Sequence, residues 1–143
     1  GYPGMKILQF AFDSREESDY LPHNYTHNCV VYTGTHDNDT VMGWYDTLKG
    51  ADKKLCDDYL RLKNADGEPI PREQLPWEFV RAAMSSVADL AIIPMQDYLG
   101  LGSEARINIP STLGINWKWR MGNGDFTKEL AGRIRSMTKL YGR

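Results

Sequence analysis

Apolar residues in this chain follow two rhythms, one of strands and one of helices. Three short runs are largely apolar rather than alternating: Met5 to Phe10, Cys29 to Thr35 and Leu90 to Met95. The second run, Cys29-Val30-Val31-Tyr32-Thr33-Gly34-Thr35, is β-branched and aromatic, which suits a buried strand. Between and after these runs the apolar positions fall three and four apart. Leu55, Tyr59 and Leu62 predict a helix over 52–62; Trp77, Val80, Met84 and Val87 predict another, with Pro76 as its first residue. Leu130, Ile134, Met137 and Tyr141 predict a last helix, with Lys139 in its final turn and Gly142 as its stop. A helix over 40–49 is expected after His36-Asp37-Asn38-Asp39, capped by Asp39 or a neighbour and closed by Gly50. The remaining stretches, 13–28, 64–71 and 98–123, are rich in Gly, Pro and polar residues and read as loops and turns.

Apolar strands separated by helices favour a parallel sheet covered on both faces. Three parallel strands alone leave two bare edges. A closed (β/α)8 barrel needs about 250 residues, and this chain has 143. The pattern is therefore that of part of a barrel or of a doubly wound sheet, α/β in class. The chain starts Gly1-Tyr2-Pro3-Gly4 and enters a strand-like run at its first Met, Met5. That start fits a processed protein, a short leader scar, or a piece of something longer.

Composition narrows the partners. Seventeen Lys and Arg stand against nineteen Asp and Glu, for a net charge of −2. That balance favours neither nucleic acid nor an anionic membrane surface as a partner. No apolar run reaches the roughly 18 residues of a membrane span, and no secretory signal pattern is visible. Two cysteines, Cys29 and Cys56, with no CxxC, fit a reducing compartment, and the expectation is cytoplasmic.

His36-Asp37 is the sharpest candidate for chemistry, because it leaves the C-terminal end of the strongest strand. In parallel α/β folds that end faces the active site. A carboxylate there can do acid–base work, accept hydrogen bonds from a sugar, or bind a cation; equally, Asp37-Asn38-Asp39 can simply cap a helix. As a calcium loop it fails, since the sixth position lacks Gly and the twelfth is Leu48 rather than Glu. His23 and His27 sit four apart in a loop without the Glu of a zinc motif, and read as solvated. No G-x-S-x-G occurs. Gly100-Leu101-Gly102-Ser103-Glu104-Ala105 matches the dinucleotide pattern, but it does not follow a strand directly and Pro110 leaves little room for the helix it should open. Trp117 and Trp119, among four Trp and eight Tyr, suit either half-buried packing, which is favoured, or stacking on sugar rings.

Five blocks carry a resemblance: PGMKILQFAF (3–12), YLPHNY (20–25), VVYTGTHDNDT (30–40), PMQDYLGLGSEARINIP (94–110) and NWKWR (116–120). In this order they resemble the C-terminal part of the 4-alpha-glucanotransferases, the amylomaltase or disproportionating enzymes. Ser111 and Ile115 depart from the usual small residues of the pattern. The resemblance implies an alpha-amylase-type (β/α)8 barrel, of which residues 1–143 form a single segment holding about strands six to eight. It implies transfer of a 1,4-alpha-glucan segment to glucose or another glucan by a retaining mechanism, with no cofactor and no metal. Asp37 then matches the acid that stabilises the transition state, and His36 binds the same ring. Phe10 matches an aromatic on the acceptor side, and Asn108 a polar contact to the glucan. The nucleophile and the acid/base belong upstream, so the expected partners are alpha-1,4-glucans, maltooligosaccharides and the upstream segment of the same enzyme. The chain alone is expected to be inactive. Two rival functions remain: a non-catalytic glucan-binding module using Trp117, Trp119 and Tyr residues, and a nucleotide-binding α/β domain using Gly100 to Ala105.

Overall fold

The computed structural model describes all 143 residues. Three strands, β1 (Gly4–Ile7), β2 (Cys29–Tyr32) and β3 (Leu90–Ile92), form one sheet in the order β1-β2-β3. Both pairings are parallel, with Met5 opposite Val30 and Val30 opposite Leu90. All three strands therefore deliver their chains to the same end of the sheet. The connection from β1 to β2 holds two 3-10 turns, Leu8–Phe10 and Pro22–Asn24, and no α-helix, while β2 returns to β3 through helices α1 (Val41–Tyr45), α2 (Gly50–Tyr59) and α3 (Leu75–Met84).

Each strand is shorter than its apolar run. β1 stops at Ile7 because Leu8–Phe10 tightens into a 3-10 turn, closed by the Ala11 N–H donating to the Leu8 carbonyl at 3.0 Å. β2 stops at Tyr32, before Gly34, and β3 at Ile92, two residues before Pro94, which has no N–H for the ladder. After Pro94 the chain makes a single helical turn, α4 (Met95–Tyr98), where a strand end was expected. The first helix ends at Tyr45 rather than Lys49, and Gly50, at φ +56°, opens α2 instead of closing α1. Leu62 lies beyond α2, yet it is buried, its N–H held by the Asp57 carbonyl at 2.8 Å. Val87 lies beyond α3 and is exposed, so it is no part of that helix's stripe.

Burial explains why α1, α2 and α3 gather on one side. Leu8, Phe12, Val41, Met42, Tyr45, Cys56 and Phe79 belong to one buried cluster. Phe79 is its centre: fully buried, it meets Phe12 at 6.5 Å, Trp44 at 5.8 Å and Tyr45 at 6.2 Å, each edge-on as ring quadrupoles prefer. A smaller cluster of Tyr25, Cys29, Val31, Ala83 and Ala88 ties β2 to α3. The last helix, α5 (Lys128–Leu140), docks its Leu130, Ile134 and Met137 stripe on Trp77, Val80 and Met84, with the Arg133 guanidinium 3.9 Å over the Trp77 ring. The predicted stripe of this helix is thus the one that packs.

The sheet itself is only half covered. Met5, Leu90 and Ile92 are exposed although they sit in strands. The outer edges of β1 and β3 have no strand partner. Cys29 and Cys56 are both buried and unpaired. No helix is long and apolar enough to cross a membrane.

Phe79→Ala should cost about 3–5 kcal/mol, because the three surrounding rings cannot close over the space it leaves. Urea unfolding of the wild type and the variant measures this. A loss below about 1 kcal/mol would mean that the ring cluster is not the core of this side.

Candidate functional site

The chain leaves β2 at Tyr32 and reaches α1 at Val41, and the residues between them form the site loop. Asn38 folds this loop back on itself: its Oδ1 accepts both the N–H and the hydroxyl of Thr35 at 2.8 Å, and its own N–H donates to the Thr35 carbonyl at 3.2 Å. This short-range turn pushes His36 and Asp37 outward, where both side chains are about half exposed. Asp37 Oδ1 accepts from Asn108 Nδ2 at 2.7 Å and lies 3.3 Å from His36 Nε2. Oδ2 takes no hydrogen bond from the chain. Arg106 joins the two sides: its Nη2 donates to the Asp37 carbonyl at 2.8 Å and its Nε to the Asn108 carbonyl at 2.9 Å. The Trp117 ring lies against His36, with centroids 5.0 Å apart and planes tilted by 36°. Trp117 holds a left-handed backbone, φ +62°, rare for an aromatic, while its N–H donates to the Ile107 carbonyl at 2.6 Å.

Beneath the loop lies a second set of polar groups, most of them buried. Gln9, in the 3-10 turn after β1, donates Nε2 to the Asp39 carbonyl at 2.8 Å. Asp39 Oδ1 accepts the Thr40 N–H at 2.8 Å, and Oδ2 accepts the Ser103 hydroxyl at 2.6 Å. The helix cap is accordingly Thr40, whose hydroxyl oxygen accepts the Gly43 N–H at 3.1 Å, and not Asp39. A Cβ at Gly43 would clash with Ser103 Oγ and stand 2.6 Å from Asp39 Oδ1, so a larger residue there would displace the Ser103–Asp39 pair. Asp97, on α4 and fully buried, accepts the Thr33 hydroxyl at 2.6 Å on Oδ2 and the Val41 N–H at 2.9 Å on Oδ1.

The structure thus brings together three of the four residues singled out from the sequence: His36, Asp37 and Asn108. Phe10 follows β1 at the same end of the sheet, half exposed and edge-on to Tyr20 at 5.6 Å. Trp117 is about half exposed, its ring packed on His36, and Trp119 is partly buried beside Ser103, Glu104 and Arg106, so the half-buried packing expected of both fits. Gly100 to Ala105 opens no helix: Ser103–Ala105 is one 3-10 turn, so the dinucleotide reading is overturned. His23 and His27 are exposed, as expected of loop residues, and His23 bonds Tyr59 and Glu17. Arg106, Gln9, Ser103 and Asp97 were not foreseen. Only Asp97 left a signal, a lone carboxylate inside the apolar LAIIPMQDYL segment.

Asp37 offers one free carboxylate oxygen, a fixed orientation and an aromatic-backed imidazole beside it. Such a group can accept hydrogen bonds from hydroxyls and stabilise positive charge. It has no free second carboxylate next to it, because Asp39 is bonded on both oxygens and Asp97 is buried. No three His, Cys, Asp or Glu side chains cluster so as to hold a metal.

A family model described as 4-alpha-glucanotransferase matches residues 1–125. The chain is 50% identical over 144 residues to a 4-alpha-glucanotransferase of Clostridium butyricum, with 100% of this chain and 28% of that one aligned. It is 49% identical to a chloroplastic/amyloplastic 4-alpha-glucanotransferase of Solanum tuberosum, covering 99% of this chain and 24% of the relative. Its fold superposes on amylomaltase from Streptococcus agalactiae, solved in complex with acarbose, with a TM-score of 0.89 at 36% identity over 99% of this chain and 28% of that one. The chain spans about a quarter of the length of the curated relatives it matches.

Asp97 gives the site a measurable electrostatic signature. Burial pushes its carboxyl up to about 6, against the Thr33 and Val41 hydrogen bonds that favour the anion, and the nearby Asp39 charge adds to the rise. The folded chain therefore holds this proton more tightly than the unfolded one. The resulting contribution to stability is complete below about pH 4 and is lost as pH rises through about 6. Asp97→Asn removes the ionisation, so its stability relative to wild type should improve between pH 4 and pH 7, by up to roughly 3 kcal/mol. Urea midpoints of both proteins at the two pH values measure it. A difference that does not change with pH would contradict the burial of the charge.

Proposed function

The chain belongs to the 4-alpha-glucanotransferase family, and from that premise we propose that it is a C-terminal segment of an enzyme that moves a piece of a 1,4-alpha-glucan onto glucose or another glucan. Residues 1–143 form one segment of a (β/α)8 barrel, its strands six to eight. Three parallel strands in chain order, helices crossing from β2 to β3 and two unpaired sheet edges support that placement, as does the match of this chain to only 28% of the length of two relatives. The buried free thiols suit a reducing compartment such as the cytoplasm.

The observation that carries the reading is the free Oδ2 of Asp37 at the C-terminal end of the central strand, with Oδ1 fixed by Asn108. A retaining transfer passes through an oxocarbenium-like transition state. A fixed anion whose contacts to sugar hydroxyls tighten as the ring gains charge binds that state better than the ground state. Asp37 performs this role. His36, backed by Trp117, binds the same ring, Asn108 orients Asp37 and reaches the glucan, and Phe10 meets the acceptor from the end of β1. The nucleophile and acid/base come from the upstream segment, because a retaining site needs two carboxyl groups about 5–5.5 Å apart and Asp37 has no free partner. Trp117 packs on His36 within this same site, which ties it to Asp37 rather than to a separate glucan-binding surface.

Two outcomes follow. In the complete enzyme, Asp37→Asn keeps the shape, removes the anion and should lower kcat for maltooligosaccharide transfer by at least about 10²–10³. A variant that keeps most of its kcat would leave Asp37 a loop residue only. Purified residues 1–143 should not disproportionate maltotriose, and the upstream segment, covalent or added in trans, should be needed for activity. Chromatography of the products checks this: longer maltooligosaccharides and glucose from the chain alone would put the nucleophile among its own carboxylates.

A further inference from the structure

We propose that Asp97 is a positioning residue for Asp37, setting where the site loop presents its carboxylate; this rests on the role given to Asp37 above. The loop leaves β2 and enters α1 within eight residues, and its two feet are Thr33 and Val41. Both feet are fully buried, and one carboxylate holds them: Asp97 Oδ2 takes the Thr33 hydroxyl at 2.6 Å and Oδ1 the Val41 N–H at 2.9 Å. No other side chain bonds both feet. Asp97 itself comes from α4, at the C-terminal end of β3, so it also fixes the loop to the neighbouring strand.

Asp97 is 1% exposed and both its oxygens are taken by the loop's feet, so it acts through the loop rather than by a bond of its own to a glucan. An ion in that position costs stability unless its hydrogen bonds compensate it. What those bonds fix is the separation of the loop's feet, and with it the height of His36 and Asp37 above the sheet. Higher up, Gln9 and Ser103 hold Asp39, and Arg106 holds the Asp37 carbonyl. Those contacts tie the loop to its neighbours, whereas Asp97 sets the base from which it rises. A shift of about 1 Å in a group that must meet a transition state can cost about 10²-fold in rate.

A double-mutant cycle in the complete enzyme separates positioning from mere support. Asp97→Ala should lower kcat about 10–100-fold with KM changed less than about threefold. In an Asp37→Asn background the same change should cost less than about threefold, since there is no longer an anion to place. Equal losses in both backgrounds, or no loss in either, would overturn the proposal. If Asp97→Ala does not fold, Thr33→Val removes one donor only and is read by the same cycle: a loss confined to the Asp37 background supports the proposal, and an equal loss overturns it. Full activity of Asp37→Asn alone would instead remove the catalytic role of Asp37, and the positioning role with it.

Discussion

A parallel strand hands its chain to one end of the sheet, and the chain must turn there without leaving buried backbone groups unpaired. In this protein the turn after β2 spans Thr33 to Val41, and the buried carboxylate of Asp97 closes its base. The Thr35–Asn38 turn fixes the tip, and Arg106 fixes the Asp37 carbonyl. Asp37 is exposed because everything around it is held. Its free oxygen is a consequence of that bracing: Asn108 takes one oxygen and the other accepts no hydrogen bond from the chain.

The bracing is only as firm as the elements it comes from. Gln9 reaches Asp39 because β1 breaks into a 3-10 turn at Leu8, whose side chain is buried in the same cluster as Phe12, Val41 and Phe79. Val41 is both the first residue of α1 and part of that cluster, so packing behind the site and hydrogen bonding within it share one residue. On the far side, β3 and α4 bring Asp97, while Leu90 and Ile92 of β3 stay exposed. Exposed Leu90 and Ile92 in a parallel sheet mark surface that such folds ordinarily cover.

How much of this was legible depends on range. β2 reads directly from its β-branched run, and the exposed pair His36-Asp37 follows from where that run ends. The α5 stripe reads from its spacing alone. Strand ends did not, because Gly34, Pro94 and the 3-10 turn at Leu8 shorten the ladders through local backbone geometry. Asp39 looks like a cap in sequence; Ser103, 64 residues away, takes its carboxylate, and the cap falls to Thr40. Asp97 shows in the sequence only as a lone carboxylate just past an apolar run. Its role appears only when Thr33 and Val41 are folded against it, 64 and 56 residues distant in sequence. Arg106 likewise spans 69 residues to the Asp37 carbonyl. Long-range polar contacts of this kind have no periodicity to betray them.

The central claim is that Asp37 Oδ2 is kept free for a sugar at the C-terminal end of β2. A crystal structure of the complete enzyme with a bound maltooligosaccharide tests it most directly. The account predicts a glucosyl hydroxyl within about 2.5–3.0 Å of Asp37 Oδ2, with the Asn108 bond to Oδ1 intact and His36 against the same ring. A glucan bound elsewhere, with Asp37 contacting only its own loop and Asn108, would contradict it.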